Sequence, residues 1–272
     1  DTTSYIDSVV YGNYILTVTD GNGCIATSSI DIIEPLPLLI SSNVDSIVSC
    51  NGLSDGGASV SSLGGTFPYV YLWSSGQSGT YISGVTAGTY SVTVSDSNLC
   101  QDSSSVSISE PLALDVSTIV DSNISCNGYS DGGGSVVVTG GTGAYSYEWS
   151  VGAITSSISG VMAGIYNVTV TDANQCSSQS VLEISEPDLL MLSLSADSNV
   201  SCNGLSDGGI SSVVIGGTLP YLYSWSNSEA TSSVSGLSSG NYSLTVSDSN
   251  NCQANNSLLI TEPSILSIQT AL

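Results

Sequence analysis

The residues of this chain with the clearest chemical potential are the aspartates and cysteines of one recurring motif. SCNGLSDGG stands at 49–57 and again at 201–209, and SCNGYSDGG stands at 125–133. Glycines around an acid and beside a cysteine suit a cation-binding loop, a phosphate-binding loop, or a tight turn next to a disulfide. Asn-Gly and Asp-Gly-Gly are sequences that turns with positive φ require, so we favour the turn.

A second acidic motif, Asp-x-Asn-x-Cys, also carries oxygens that a cation could bind. It reads DGNGC, DSNLC, DANQC and DSNNC in chain order. Calcium loops usually bring more carboxylates together than either motif supplies, whereas Asp and Asn in a hairpin turn bond to their own backbone. We favour the turn and keep calcium as the alternative. The calcium candidates are Asp55, Asp131, Asp207, Asp96, Asp172 and Asp248, with the glutamates of the Glu-Pro pairs at Glu34, Glu110, Glu186 and Glu262.

The composition excludes most enzyme chemistry. The chain has 272 residues with 23 acids and no Lys, Arg or His, which gives a formal charge of −23. It therefore has no imidazole for base catalysis, no ammonium for a Schiff base and no guanidinium to hold a phosphate. Binding to nucleic acid and to anionic membranes depends on such cations, and no apolar run approaches the ~18 residues of a membrane span. We expect no catalysis, no nucleic-acid partner, no membrane insertion and no cofactor other than calcium.

The main features of the sequence repeat after 76 residues. The separations between successive cysteines alternate between 26 and 50, and the tryptophans and the Glu-Pro pairs keep the same 76-residue period. Because proline restricts the residue before it to extended conformations, the Glu-Pro pairs predict joints between domains. Cutting there gives complete domains at 35–110, 111–186 and 187–262. Residues 1–34 are then the back half of a preceding domain and 263–272 the first strand of a following one. This predicts a window on a longer array, or ends completed by other chains.

Each repeat has the pattern of an antiparallel β-sandwich. In 111–186, short runs of alternating apolar and polar residues are separated by Gly, Asn, Asp and Ser, and none has a helical period. This predicts an all-β chain of tandem immunoglobulin-like sandwiches. The recurring aromatic residues fit a sandwich core and a tyrosine corner, although an exposed aromatic stripe would instead bind sugars. We favour the core for Trp73, Trp149, Trp225, Tyr90, Tyr166 and Tyr242.

Seven cysteines at regular spacings in a β-rich chain indicate an oxidising, extracellular compartment. Two pairing schemes fit the spacing, one within each domain and one across each joint, as in Cys24–Cys50. We favour pairing within the domain, because closing a loop of about 50 residues stabilises a small domain by roughly 4 kcal/mol. The favoured bonds are Cys50–Cys100, Cys126–Cys176 and Cys202–Cys252, which leave Cys24 to a partner outside these residues.

The ordered set of motifs resembles a known repeat family. SCNGxSDGG, GGTxPYxYxWS, SGxxAGxYxVTVxDxNxC and ISEP together are similar to the SprB-type repeat of large cell-surface proteins of Bacteroidota. The resemblance covers the whole chain, although the second copy lacks the Pro of GGTxPY and the first partial copy lacks its front half. It implies a secreted adhesin that the type IX secretion system exports to the bacterial surface and that, in gliding members, grips the substratum. It implies no catalytic or ligand-binding residue.

We expect the chain to belong to a structural stalk or adhesin array outside the cell. Its partners would be other repeats of the same chain or neighbouring subunits, with surface polysaccharide as a further candidate. One alternative is a self-assembling extracellular filament in which neighbouring subunits complete the half domains by strand complementation. Another is a carbohydrate-binding module, which requires exposed Trp or Tyr side chains.

Overall fold

The computed structural model describes residues 4–269, which form strands, turns and extended segments. Within these residues there are twenty strands, and all of their pairings are antiparallel. The chain divides into two compact units, residues 1–113 and residues 114–272.

The first unit contains a hairpin and one sandwich. The hairpin pairs β1 (Gly12–Thr19) with β2 (Ile25–Ile32). The sandwich has the sheets β3-β4-β6 and β5-β7-β8, with strands β3 (Leu39–Ser46), β4 (Gly56–Leu63), β5 (Val70–Trp73), β6 (Tyr81–Val85), β7 (Gly88–Ser95) and β8 (Gln101–Ile108).

The second unit contains two sandwiches of the same design. The second sandwich consists of β9 (Asp115–Ser122), β10 (Gly132–Thr139), β11 (Ser146–Trp149), β12 (Ser157–Val161), β13 (Gly164–Thr171) and β14 (Ser177–Ile184). The third consists of β15 (Met191–Ser198), β16 (Gly208–Ile215), β17 (Leu222–Trp225), β18 (Ser233–Leu237), β19 (Gly240–Ser247) and β20 (Gln253–Ile260).

The strand order is that of an immunoglobulin domain with one strand fewer. In each sandwich the first, second and fourth strands form one sheet, and the third, fifth and sixth form the other. Constant-type immunoglobulin domains divide strands A, B and E from C, F and G in the same way, with strand D beside E. The prediction of an all-β fold of tandem immunoglobulin-like sandwiches is confirmed.

Alternation of side chains along the strands builds the cores. In β13, Val168 and Val170 are fully buried while Thr169 between them is only partly buried. Trp149 at the end of β11 is 2% exposed in the same core, and its indole N–H donates to the Thr155 carbonyl at 2.9 Å. Trp73 and Trp225 occupy the corresponding places in the first and third sandwiches.

The Asp-Gly-Gly glycines serve a different purpose from the expected turn. The glycine of Asn-Gly does have a positive φ, 79° at Gly128. Gly132, however, lies in β10, where a Cβ atom would stand 2.6 Å from Ile184 Cγ2 and 3.1 Å from the Val161 carbonyl oxygen. The first glycine of each pair, at Gly56, Gly132 and Gly208, is therefore needed for close packing of strand against core, and the expectation of a positive φ at Asp-Gly-Gly is wrong.

The three cores fall within the ranges 35–110, 111–186 and 187–262. The domain boundaries at the Glu-Pro pairs stay a prediction. Residues 263–269 form no strand, so the strand expected at 263–272 is absent from its described part. The remainder of that segment, 270–272, lies outside the described residues, as do residues 1–3 of the predicted half domain.

Leu182 provides a test of core packing, because it fills space that a glycine leaves empty. A Cβ atom on Gly134 would lie 2.5 Å from Leu182 Cδ2, whereas the third sandwich has the buried Ile210 at the matching position and only a half-buried Leu258. We expect Leu182→Ala to lower the free energy of unfolding of its sandwich by about 2–5 kcal/mol, and Leu258→Ala to cost less. Peptide-resolved hydrogen exchange of β13 and β19 measures each sandwich separately. Equal losses in the two variants would contradict this account.

Candidate functional site

The aspartate of SCNGxSDGG closes its own turn. Asp55 accepts hydrogen bonds from the hydroxyl and the backbone N–H of Ser49, the N–H at 3.0 Å. These two hydrogen bonds, of which the one from the hydroxyl has the larger effect, hold the pKa of the Asp55 carboxyl below its usual value. The carboxylate is therefore a structural acceptor inside the turn. Ser125 and Ser201 lower the pKa of Asp131 and Asp207 in the same way.

The same turn holds the linker that follows its sandwich. The Gly128 N–H donates to Glu186 Oε2 at 2.7 Å, and the Asn127 side-chain amide donates to the Pro187 carbonyl at 3.1 Å. The Glu-Pro joint is thereby tied to the domain that it leaves. The corresponding pairs are Gly52–Glu110 with Asn51–Pro111, and Gly204–Glu262 with Asn203–Pro263.

The aspartate of Asp-x-Asn-x-Cys is buried and joins two loops. Asp172 is 2% exposed, and its Oδ1 accepts from the N–H groups of Asn174 and Cys176, both at 2.9 Å, while Oδ2 accepts from the Thr142 N–H at 2.8 Å. Burial raises the pKa of this carboxyl, but the three N–H donors outweigh burial and leave the pKa below its usual value. The hairpin is thus fixed to the Gly-Gly-Thr loop. Asp96 and Asp248 make the same three bonds.

These bonds make the acidic motifs poor cation sites. The carboxylates of the six aspartate candidates for calcium accept N–H or O–H donors, whereas a calcium ion needs several free oxygens around one point. In residues 4–269, no cluster of three or more His, Cys, Asp or Glu side chains has the arrangement of a metal site. The geometry therefore favours the structural turn over calcium.

The two cysteine motifs lie at opposite ends of a sandwich. In the first sandwich, the hairpin that contains Asp96 is hydrogen-bonded to Thr66, which follows β4. At the other end, Val48, directly before the SCNG turn, donates its N–H to the carbonyl of Ser109, directly after β8, at 3.0 Å. We call these the hairpin end and the turn end. β3, with 8 residues, runs from one to the other. At roughly 3.4 Å per residue a strand of that length spans about 27 Å.

The disulfide in the second unit joins consecutive sandwiches. Cys126, at the turn end of the second sandwich, bonds Cys252, at the hairpin end of the third, with a Cα–Cα distance of 5.7 Å and a sequence separation of 126. The predicted bonds within domains are wrong, because a disulfide needs Cα atoms within about 7 Å and the two cysteines of one sandwich lie at opposite ends. Pairing across the joint, as in Cys24–Cys50, is wrong as well, because Cys24 is free.

The other cysteines of the chain fall into two groups. Cys50 and Cys176 are also disulfide-bonded, whereas Cys24, Cys100 and Cys202 are free and exposed.

A small apolar cluster surrounds this disulfide. Leu190, 8% exposed at the start of the third sandwich, is buried together with the two bonded cysteines. The half-buried side chains that pack on them are Val214, Tyr221 and Ala254. The bond is therefore part of a packed contact between the second and third sandwiches.

The Asn of Asp-x-Asn-x-Cys reaches across the same contact. The Asn250 side-chain amide donates to the Ser125 carbonyl of the second sandwich at 2.9 Å and to Thr218 Oγ1 at 3.3 Å. The sequence predicted only a turn role for this residue. Its partner Ser125 lies 125 residues away in another repeat, and no motif of the sequence marked that contact.

The recurring aromatic residues belong to the cores. Trp73, Trp149 and Trp225 are 2–3% exposed, so none of the three offers a face to a sugar. The hydroxyl of Tyr166 donates to the Met162 carbonyl four residues upstream at 2.8 Å, which is a tyrosine corner. Tyr90 and Tyr242 make the same bond to Thr86 and Ser238, and all three tyrosines pack on their cores.

The β1–β2 hairpin carries a recess of ≈ 410 Å³ lined by aliphatic, tyrosine and serine side chains. Leu16 and Val18 of the hairpin are 60% and 57% exposed, whereas Val92 and Val94 at the matching positions of the first sandwich are fully buried. Leu16, which lines the recess, therefore occupies the position of a core residue in the first sandwich.

The family profile described as "SprB repeat" matches residues 47–78, 118–154 and 195–230. The chain carries SprB repeats. No curated protein sequence matches it. Within the described residues there is no helix long and apolar enough to span a bilayer.

Several solved structures of tandem domains are similar in fold. The three N-terminal domains of the outer capsid protein Hoc of bacteriophage RB49 are 14% identical, with a TM-score of 0.39 and coverage of 82% of this chain and 95% of that one. The N-terminal eight Ig domains of Down Syndrome Cell Adhesion Molecule are 11% identical, with a TM-score of 0.30; the match covers 93% of this chain and 51% of that one. Domains 1–5 of Sidekick-1 are 12% identical, with a TM-score of 0.33 and coverage of 93% and 66%. The likeness is one of fold alone.

The buried Asp172 predicts that its sandwich is sensitive to acid. Since the folded-state pKa of Asp172 lies below the unfolded value of about 3.9, its stabilising effect is complete above that pH and is lost as the pH falls through the lower folded value. We expect Asp172→Asn to lower the melting temperature at pH 7, because an amide NH₂ then faces the Thr142 N–H, and to flatten the decline in acid. The control is Asp115→Asn, an exposed position with the same change of charge. Identical pH profiles for Asp172→Asn and the parent would contradict the assignment.

Calcium dependence can be tested directly. Because the carboxylates accept protein N–H and O–H groups, we expect a chelator to leave the melting temperature unchanged and added calcium not to raise it. Differential scanning calorimetry in EDTA and in calcium makes the comparison. A calcium-dependent rise that Asp172→Asn abolishes would restore the metal explanation.

Proposed function

We propose that this chain is a non-catalytic structural segment of an extracellular adhesin stalk, in which consecutive sandwiches are clamped by disulfides. The SprB repeats and the tandem immunoglobulin-like fold support an adhesin-type repeat array at a cell surface. Attachment to a substratum, gliding motility and export by the type IX secretion system belong to the same proposal.

The observation that carries the proposal is the bond between Cys126 and Cys252. A disulfide within a domain protects that domain alone, whereas this one fixes two domains to each other. The linker beside it is held as well, through the bonds from Gly128 to Glu186 and from Asn127 to Pro187. A joint held by both covalent and hydrogen bonds is suited to transmitting force along an array.

The charge of the chain fits an extended structure. All 23 formal charges of the chain are negative, so neighbouring stalks repel one another at short range, up to the screening length of about 10 Å. Disulfides persist outside the cell, where thiols are not kept reduced. Both properties agree with a location at the bacterial surface.

A filament with strand complementation is a second candidate, and one observation favours it. The β1–β2 hairpin exposes Leu16 and Val18, whose counterparts in the first sandwich are core residues. A neighbouring subunit that packed a sheet against this face would bury it. Concentration-dependent assembly that Leu16→Asp abolishes would favour the filament over the stalk.

Single-molecule extension tests the stalk proposal. Cys50 and Cys176 are first replaced by Ser, so that Cys126–Cys252 is the one loop measured. In that background, Cys126→Ser with Cys252→Ser should lengthen the fully extended chain by about 430 Å, because the bond withholds 126 residues at roughly 3.3–3.6 Å each.

The matched control is Cys202→Ser in the same background, which removes an exposed free thiol and leaves the bond intact. It should not change the extended length. Equal lengths with and without Cys126 and Cys252 would refute the proposal that the joint resists extension.

A further inference from the structure

The free cysteine Cys202 occupies the same position as the bonded Cys126. Both follow the serine of SCNG at the turn end of a sandwich, one period apart. Cys126 is 6% exposed and bonded to the next sandwich, whereas Cys202 is free and exposed. The bond of Cys126 therefore shows what a cysteine at this position binds, namely the hairpin cysteine of the next sandwich.

The turn around Cys202 is already folded for bonding. The Ser201 N–H donates to Asp207 Oδ1 at 3.0 Å, as Ser125 does to Asp131 at 3.1 Å. Its linker bonds match as well: Gly204 to Glu262 at 2.8 Å against 2.7 Å, and Asn203 to Pro263 at 3.1 Å in both places. The turn that presents Cys126 to its partner is therefore reproduced at Cys202 without one.

The hairpin that carries the partner cysteine also occurs once with its cysteine free, at Cys100. In the hairpin of Cys252, Asp248 Oδ1 accepts from the N–H groups of Asn250 and Cys252 at 2.9 Å. Asp96 makes the same bonds, at the same distances, to Asn98 and to Cys100, whose thiol is free. The hairpin fold therefore exists before any disulfide is made, and both halves of the bond are preorganised.

We propose that Cys202 is the bonding site for a further copy of the repeat placed after the Glu262-Pro263 joint, through the hairpin cysteine of that copy. The register is fixed: the turn cysteine of one repeat bonds the hairpin cysteine of the next, 126 residues later, as in Cys126–Cys252. By the same rule, Cys100 is the site for the turn cysteine of a preceding copy. This inference rests on the proposed function as a tandem array and names the partner of each joint.

The reaction is an oxidation of two thiols by a disulfide reagent. The Cys202 thiolate attacks a small disulfide such as oxidised glutathione, forms a mixed disulfide and releases one glutathione thiolate. The hairpin thiolate then attacks the Cys202 sulfur of the mixed disulfide and releases the second. Two protein protons leave and the two electrons end on the two glutathione molecules.

Lengthening the full chain by one repeat tests the proposal. A second copy of residues 187–262 is inserted after Glu262, and the protein is refolded in a glutathione redox buffer. Non-reducing peptide mapping should then link Cys202 to the hairpin cysteine of the inserted copy. Cys202 should lose its maleimide labelling, and the turn cysteine of the inserted copy should become a labelled thiol in its place.

The matched control is the same lengthened chain with Ser at the hairpin cysteine of the inserted copy. There Cys202 should keep its labelling, and protected amides in the inserted copy should show that it has folded. A folded inserted copy with Cys202 free, or with Cys202 bonded to Cys252, would overturn the register. The stalk proposal is tested separately by the extension experiment. If removing Cys126 and Cys252 lengthens the extended chain, the stalk proposal stands even where the register at Cys202 fails. If removing them leaves the length unchanged, the stalk proposal is refuted whatever Cys202 binds.

Discussion

The absence of cationic side chains is the constraint on which the rest of the structure depends. With no Lys, Arg or His in the chain, a buried carboxylate has only N–H and O–H groups as donors. Asp172 is surrounded by three backbone N–H groups, and no buried side-chain N or O atom in residues 4–269 is left without a hydrogen bond. Backbone N–H groups free to do this occur mainly in turns and loops, so the acids gather at the two ends of each sandwich.

This placement makes the ends of the sandwiches the ordered parts that meet at a joint. Glu186 orders the linker through Gly128, Asp131 orders the turn that presents Cys126, and Asp248 orders the hairpin that presents Cys252. The disulfide forms between two elements that carboxylates have already shaped. The carboxylates that order these elements within each domain therefore also position the two cysteines that connect the domains.

The fold was largely predictable from the sequence, and the joint was not. The alternation around Val168 and Val170 and the period of Trp149 indicate strands and core directly, because strand side chains alternate between two faces. The partner of Cys126 depends on which ends of neighbouring sandwiches meet, and a single repeat carries no such information. Thr142 was likewise unpredictable as a partner of Asp172, since it lies 30 residues away in the chain. Gly134 shows the limit in the core, because its need for no side chain depends on how Leu182 packs.

The bond between Cys126 and Cys252 also bears on damage to the chain. A single break in the backbone anywhere between these residues leaves both pieces connected through sulfur, since the bond bridges 126 positions. Because 126 residues exceed the 76-residue period, an array with such a bond at every joint would keep its outer part after any single break of the backbone. Whether the array stays connected after proteolytic cleavage is thus set by its disulfide connectivity, separately from the folding stability of any one domain.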